Sequence, residues 1–129
     1  MNDRSRKTIA VLGASRDRGK FGNKCVRAYA EAGWQVFPVN LGSAEPVEGL
    51  ATVRRLQDVP VPLDRISVYL PPPVTLELLA DIADKGAGEV WFNPGSADAQ
   101  VLDEARRRGI TARPGCSIVD IGMSPAQFP

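Results

Sequence analysis

The chain has 129 residues, 43% of them apolar and 24% charged, which is enough apolar material for one domain over residues 1–129 and excludes a disordered polymer. Sixteen Lys and Arg against fifteen Asp and Glu leave a formal charge of +1, so no broad field exists to gather nucleic acid or to coat an anionic membrane. Histidine is absent, which removes the commonest general base at neutral pH, and two cysteines without histidine cannot fill a structural zinc site.

The opening "MNDRSRK", Met1–Lys7, has the charges that begin a signal peptide, but the apolar run after it, Ile9–Leu12, is far shorter than a secretory core or a membrane span. A cytoplasmic protein is expected, with Cys25 and Cys116 reduced. Lys7–Leu12 reads as a buried strand that ends in Gly13. Asn23–Ala32 follows with Cys25, Val26, Tyr29 and Ala32 at helical spacing and a stop at Gly33. Further apolar runs at Gln35–Val39, Arg65–Leu70, Glu89–Phe92 and Ile110–Arg113 predict four more strands. Between them Val74, Leu78 and Ile82 mark a second helix with prolines at its start, and Val101, Leu102 and Ala105 mark a third. Strands alternating with helices imply right-handed crossovers and a parallel sheet covered on both faces. The stretch around Leu50–Leu56 reads as a short strand or a helix, so the fold class is α/β, a Rossmann-like three-layer sandwich of five strands, or six if that stretch is a strand.

In such sheets ligands bind beyond the carboxyl ends of the strands, which directs attention to Gly13–Gly22, Asn40–Ser43, Pro71–Pro73, Asn93–Ser96 and Pro114–Ser117. The first loop holds three glycines with Arg16, Arg18 and Lys20, and it fails both familiar phosphate patterns. A dinucleotide fingerprint needs glycine where Ser15 and Arg18 stand, and an acid where the second strand ends in Asn40. The Walker pattern fails on spacing and on its magnesium ligand, since Phe21 follows Lys20. What survives is a set of loop amides at a helix start, with positive charge beside them, able to hold a phosphate or diphosphate. The plainer reading is a solvated turn whose Gly22 lets the helix pack on the sheet.

Taken together, "AVLGASRDRGKFGNK", "VFPVN", "VYLPPPV", "VWFNPGS" and "RPGCSI" resemble the CoA-binding domain of the succinyl-CoA synthetase α subunit, and more closely the small CoA-binding proteins built of that domain, from Lys7 to about Val119. The resemblance implies coenzyme A as the cofactor. It places Gly13, Ser15, Arg16, Asp17, Arg18 and Phe21 at the phosphates. It puts Val39, Asn40, Pro71 and Pro72 at the adenosine end, and Asn93, Pro94, Gly95 and Ser96 on the pantetheine side. This chain has Asn40-Leu41 where small family members have Asn-Pro, and the ligase's second domain, with its phosphorylated histidine, is expected to be absent.

Other candidates have plain explanations. Cys116 is the one plausible nucleophile, but no base is evident near it, and a small buried side chain is the simpler reading. Asp81, Asp84, Asp103 and Glu104 fall on solvated helix faces and form no catalytic pair. "ARRRG" at Ala105–Gly109 complements a helix dipole rather than marking a nucleic-acid patch, and Trp34 and Trp91 read as core or edge anchors. The expectation is a binder of CoA or an acyl-CoA, without partners among nucleic acids or membranes and without catalysis of its own. The alternatives are an NAD(P)-binding oxidoreductase, a subunit of an acyl-CoA ligase, and a regulatory module that senses acyl-CoA.

Overall fold

A computed structural model describes residues 6–129; Met1–Ser5, most of the basic opening, lie outside the described residues. The apolar runs become five parallel strands: β1 (Thr8–Leu12), β2 (Gln35–Val39), β3 (Arg65–Val68), β4 (Glu89–Phe92) and β5 (Ala112–Pro114). They form one sheet in the order β2-β1-β3-β4-β5, so the direction of winding reverses between β1 and β3. Helices α1 (Phe21–Glu31) and α4 (Ser117–Asp120) cover one face, and α2 (Pro72–Lys85) and α3 (Ala99–Arg107) cover the other. The expected Rossmann-like α/β sandwich is therefore the fold.

Successive strand residues feed opposite layers, as the period of two requires. Ile9 and Val11 pack with Cys25, Val26 and Tyr29 of α1, whereas Ala10 and Leu12 join Ile66, Leu79, Ile82 and Val101 on the far side. Both layers are closed, so odd and even residues of β1 from Ile9 onward are alike buried, and the strand reads as a continuous apolar run.

Local differences from the expected boundaries have identifiable causes. Helix α1 starts at Phe21 instead of Asn23 because the Lys24 amide closes the first turn on the Lys20 carbonyl at 3.1 Å. Ala32 caps that helix in solvent, and Ala28 takes its place in the buried stripe. On α2 the buried residues are Thr75, Leu79 and Ile82; Val74 and Leu78 stand at the edge of that stripe, half-buried. Ile110 belongs to the exit of α3, where its amide bonds to the Ala105 carbonyl at 3.0 Å, so β5 begins later than expected.

The stretch around Leu50–Leu56 adds no sixth strand. It makes one parallel bridge, Val39 with Val53, and then turns through a 3-10 helix at Leu56–Asp58. The arginines after Val53 are exposed, so nothing there can continue a ladder into the core.

Candidate functional site

At the end of β1 two glycines bring three chain segments together. Gly13 has φ of +98°, and a Cβ there would stand 2.7 Å from the Tyr69 carbonyl oxygen at the end of β3. A Cβ on Gly22 would stand 2.3 Å from the Gly13 carbonyl oxygen, so the start of α1 can press on the turn only because that residue is glycine. The loop between them is bent by its own side chains: the Ser15 hydroxyl accepts from the Asp17 amide at 3.0 Å, and Asp17 Oδ1 accepts from the Gly19 amide at 2.9 Å.

Three side chains draw the loop's carbonyls backward. Asn40 Nδ2 donates to the Ala14 carbonyl at 2.9 Å, Asn23 Nδ2 to the Ser15 carbonyl at 2.9 Å, and Arg27 Nη2 to the Arg18 carbonyl at 2.9 Å. In a trans peptide the N–H points opposite to the C=O, so the first two bonds aim the amides of Ser15 and Arg16 away from the protein. Neither amide has a partner among the described residues. Helix α1 also begins without a side-chain cap; the Asn23 amide turns back onto the Lys20 carbonyl at 3.1 Å, and the Phe21 and Gly22 N–H groups stay open.

Beside this loop lies a cleft of about 380 Å³. Of the residues singled out in the sequence, Gly13, Phe21, Pro71, Pro94, Gly95 and Ser96 line it, together with Lys20, Gly22, Tyr69 and Leu70. Phe21 is 58% exposed, an apolar ring left in solvent at the rim. Ser15, Arg16, Asp17 and Arg18 belong to the same loop but not to the cleft's lining. Arg16 is ion-paired with Glu45, and Arg18 with Glu48 at 3.3 Å.

The remaining predicted residues hold the site from behind. Val39 is fully buried, and its carbonyl accepts from the amides of Gly13 at 3.0 Å and Ala14 at 3.1 Å. Asn40 spends its side-chain oxygen on the amides of Gly42 and Ser43, at 2.8 and 3.0 Å. Pro72 opens α2, where a missing N–H is tolerated. Asn93 is 2% exposed; its Nδ2 donates to Ser67 Oγ and the Val68 carbonyl, and its Oδ1 accepts from the Ser117 amide.

Under the cleft a polar layer joins α1, β3 and α4. Ser67 and Ser117 share a hydrogen bond of 2.7 Å, with Cys25 Sγ within 3.6 and 3.7 Å of the two hydroxyls. Burial pushes the Cys25 thiol up, which keeps it protonated and inert, and both cysteines are free. Tyr69 contributes to the cleft's lining while its hydroxyl is buried with no hydrogen-bond partner; burial, and next the nearby Cys25, drive its pKa far up. Cys116 is half-buried and packs against the α1 layer.

Sequence reading missed Tyr69 and Leu70, which look like the end of a strand until Pro71 is seen to stop the ladder. It also missed Asn23 and Arg27. Their signal was a polar pair four residues apart on α1, Asn23 buried and Arg27 half-buried beside it.

No helix among the described residues is long and apolar enough to cross a membrane. A curated relative, an ADP-forming acetate–CoA ligase II of Archaeoglobus fulgidus, is 29% identical over 116 residues, covering 81% of this chain and 17% of the ligase. The chain thus spans 17% of the length of that relative. Among solved structures, a Thermus thermophilus protein superposes with a TM-score of 0.83 at 29% identity, covering 95% of this chain and 98% of its own. A conserved hypothetical protein of Pyrococcus furiosus gives 0.79 at 27% identity, over 89% and 98%. The family model described as a CoA binding domain matches residues 7–122, which takes in all five strands and every loop around the cleft, and the chain belongs to that family.

Proposed function

We propose that this chain binds coenzyme A or an acyl-CoA. The diphosphate lies against the outward amides of Ser15 and Arg16 and the first turn of α1, beside Lys20. Pantetheine crosses the cleft toward Pro94, Gly95 and Ser96, and the adenosine end lies beyond Asn40 and Pro71. The observation that carries this reading is the backward anchoring of the Ala14 and Ser15 carbonyls, which leaves two adjacent amides turned outward without protein partners among the described residues. Adjacent outward amides in a loop that leads into a helix form, with the open N–H groups of the helix start, an anion cradle that takes phosphate by oriented dipoles. Membership of the CoA binding domain family supports CoA over other diphosphates. So does Asn40, which is committed to the loop backbone where a nicotinamide enzyme places an acid for the ribose hydroxyls.

Thermal unfolding with CoA, acetyl-CoA, NAD, NADP and ATP tests the assignment. A ligand at about 100 times its dissociation constant adds about 2.7 kcal/mol of stability. CoA should raise the melting temperature and NAD should not; a larger shift with NAD overturns the CoA reading.

Kinship with an acetate–CoA ligase favours a second reading, in which the chain holds CoA for a ligation completed by residues on another chain. The chain has no histidine to carry a phosphoryl group. Accordingly, the pure protein given ATP, acetate and CoA should form no acetyl-CoA. Turnover that survives repurification would place catalysis in this chain.

A further inference from the structure

The carbonyl that aims the Arg16 amide is held by Asn23, and Asn23 is itself held. It is fully buried near the start of α1 and uses every polar atom of its side chain. Nδ2 donates to the Ser15 carbonyl at 2.9 Å and to Glu48 Oε2 at 3.0 Å, while Oδ1 accepts from Arg27 Nε at 2.7 Å. With an acceptor on either side of the NH2 group and a donor at the oxygen, only one of the two amide orientations is allowed.

Glu48 occupies a backbone conformation that does not suit it. Its φ is +51°, the one positive value outside glycine among the described residues. It forms with Gly49 a two-residue turn between Val47 and Leu50, whose backbones bond reciprocally at 3.3 and 2.9 Å. Turns of this kind take Asn, Asp or Gly at the first position, because a Cβ crowds the left-handed backbone and only glycine avoids this, while the short polar side chains of Asn and Asp offset it by bonding locally. Strained residues of this type persist where their surroundings over-determine them, and they cluster at binding sites. Here the carboxylate is anchored to Asn23 and to Arg18 Nε, at 3.0 and 3.3 Å.

We propose that Glu48 is a positioning residue for the phosphate-binding loop: its carboxylate fixes the Asn23 amide, which fixes the Ser15 carbonyl and so points the Arg16 N–H at the ligand. This deepens the CoA reading and rests on it. An Asn at position 48 relieves the backbone and still cannot span to Asn23, so fold and function separate. With a structural role alone, stability and affinity move together.

The test compares wild type with Glu48→Asn and Glu48→Gln by calorimetric titration of CoA, thermal melting, and nitrogen-15 NMR of the ligand-free protein. Glu48→Asn should melt within about 3 °C of wild type, or higher, because the turn prefers Asn. Its CoA affinity should fall about fivefold, the worth of one lost hydrogen bond. Glu48→Gln keeps an acceptor for Asn23 and should recover most of the affinity. In the ligand-free spectra, Glu48→Asn should shift the Arg16 amide and the Asn23 side-chain NH2 signals, and Glu48→Gln should restore them toward wild type. Wild type that binds CoA alongside a Glu48→Asn variant of equal affinity overturns the positioning role and leaves the CoA reading standing. Wild type that binds no CoA overturns that reading. In that case the ligand-free spectra still decide whether Glu48 sets the loop, and unchanged Arg16 and Asn23 signals refute it.

Discussion

Arg65, at the start of β3, keeps 16% of its side chain exposed and is held on every side, whereas Arg16 and Arg18, beyond the end of β1, keep 65% and 61% exposed and each meets one carboxylate. The Arg65 guanidinium lies between the rings of Trp34 and Trp91, 5.2 and 5.3 Å from their centroids. It also bonds Asp120 at 2.7 Å, Glu89 at 3.2 Å and the Tyr29 hydroxyl at 3.0 Å. The tryptophans are thus edge anchors that clasp a cation. The contrast follows from solvent. An arginine withdrawn from water must have its donors satisfied in place, and it then ties α1, β3, β4 and α4 together. An exposed pair contributes little and exchanges partners readily, so on the proposed CoA reading Arg16 and Arg18 leave Glu45 and Glu48 for a phosphate. One end of the sheet uses arginine to hold the fold, and the other keeps it available.

Arg65→Ala puts that comparison to its hardest test. It strips one partner from Asp120, Glu89 and Tyr29 and opens a gap between two indoles. A loss of about 2–3 kcal/mol is expected, less than for a fully buried pair because Arg113 still reaches Glu89 at 3.1 Å. Urea unfolding measures it, and a change below about 0.5 kcal/mol would make Arg65 an ordinary surface residue.

Acid sharpens the same contrast. The Trp91 indole N–H, then Arg113 and Arg65, hold the Glu89 carboxyl below its usual range. A carboxyl depressed in the folded state contributes stability that is present above its unfolded pKa, about 4.3, and lost as pH falls through the lower folded value. Melting temperature should therefore fall below about pH 4.5, and Glu89→Gln should flatten part of that decline. A Glu89→Gln profile parallel to wild type down to about pH 3 would show that Glu89 contributes nothing to it.

The smallest effect on the fold belongs to the loop arginines. Arg16→Ala and Arg18→Ala should each change stability by less than about 0.5 kcal/mol. Each should weaken CoA about two- to fivefold, because a phosphate contact is gained while a screened carboxylate pair is given up. Added salt should weaken the double variant less than wild type. Equal CoA binding by the double variant and wild type at both salt concentrations would leave the diphosphate to the amides.

Along the chain, the local features are legible in the residues themselves: the five strands in short apolar runs, α2 in the prolines at its start, and the close turn in Gly13 and Gly22. These depend on period and backbone sterics, which act over a few residues. The segment around Leu50–Leu56 is not legible this way, since its residues suit a short strand or a helix alike, and only the fold reduces it to one bridge with Val39 and a 3-10 turn.

The site was legible as a set of loops and illegible as a set of contacts. That Ser15, Arg16 and Asn40 sit at strand ends follows from order along the chain, but which way they face does not. Asn23 meets Glu48 across 25 residues, Arg65 meets the Tyr29 hydroxyl across 36, and Tyr29 meets the Ser117 carbonyl across 88. Such pairs exist only once crossovers have stacked α1 and α4 on the sheet. The amino-acid pattern therefore specified the layers and the place of the glycine loop, because burial and turn chemistry are local. The folded chain settled which carbonyls are drawn back and which cations stay exposed, because hydrogen-bond partners are chosen by proximity in space.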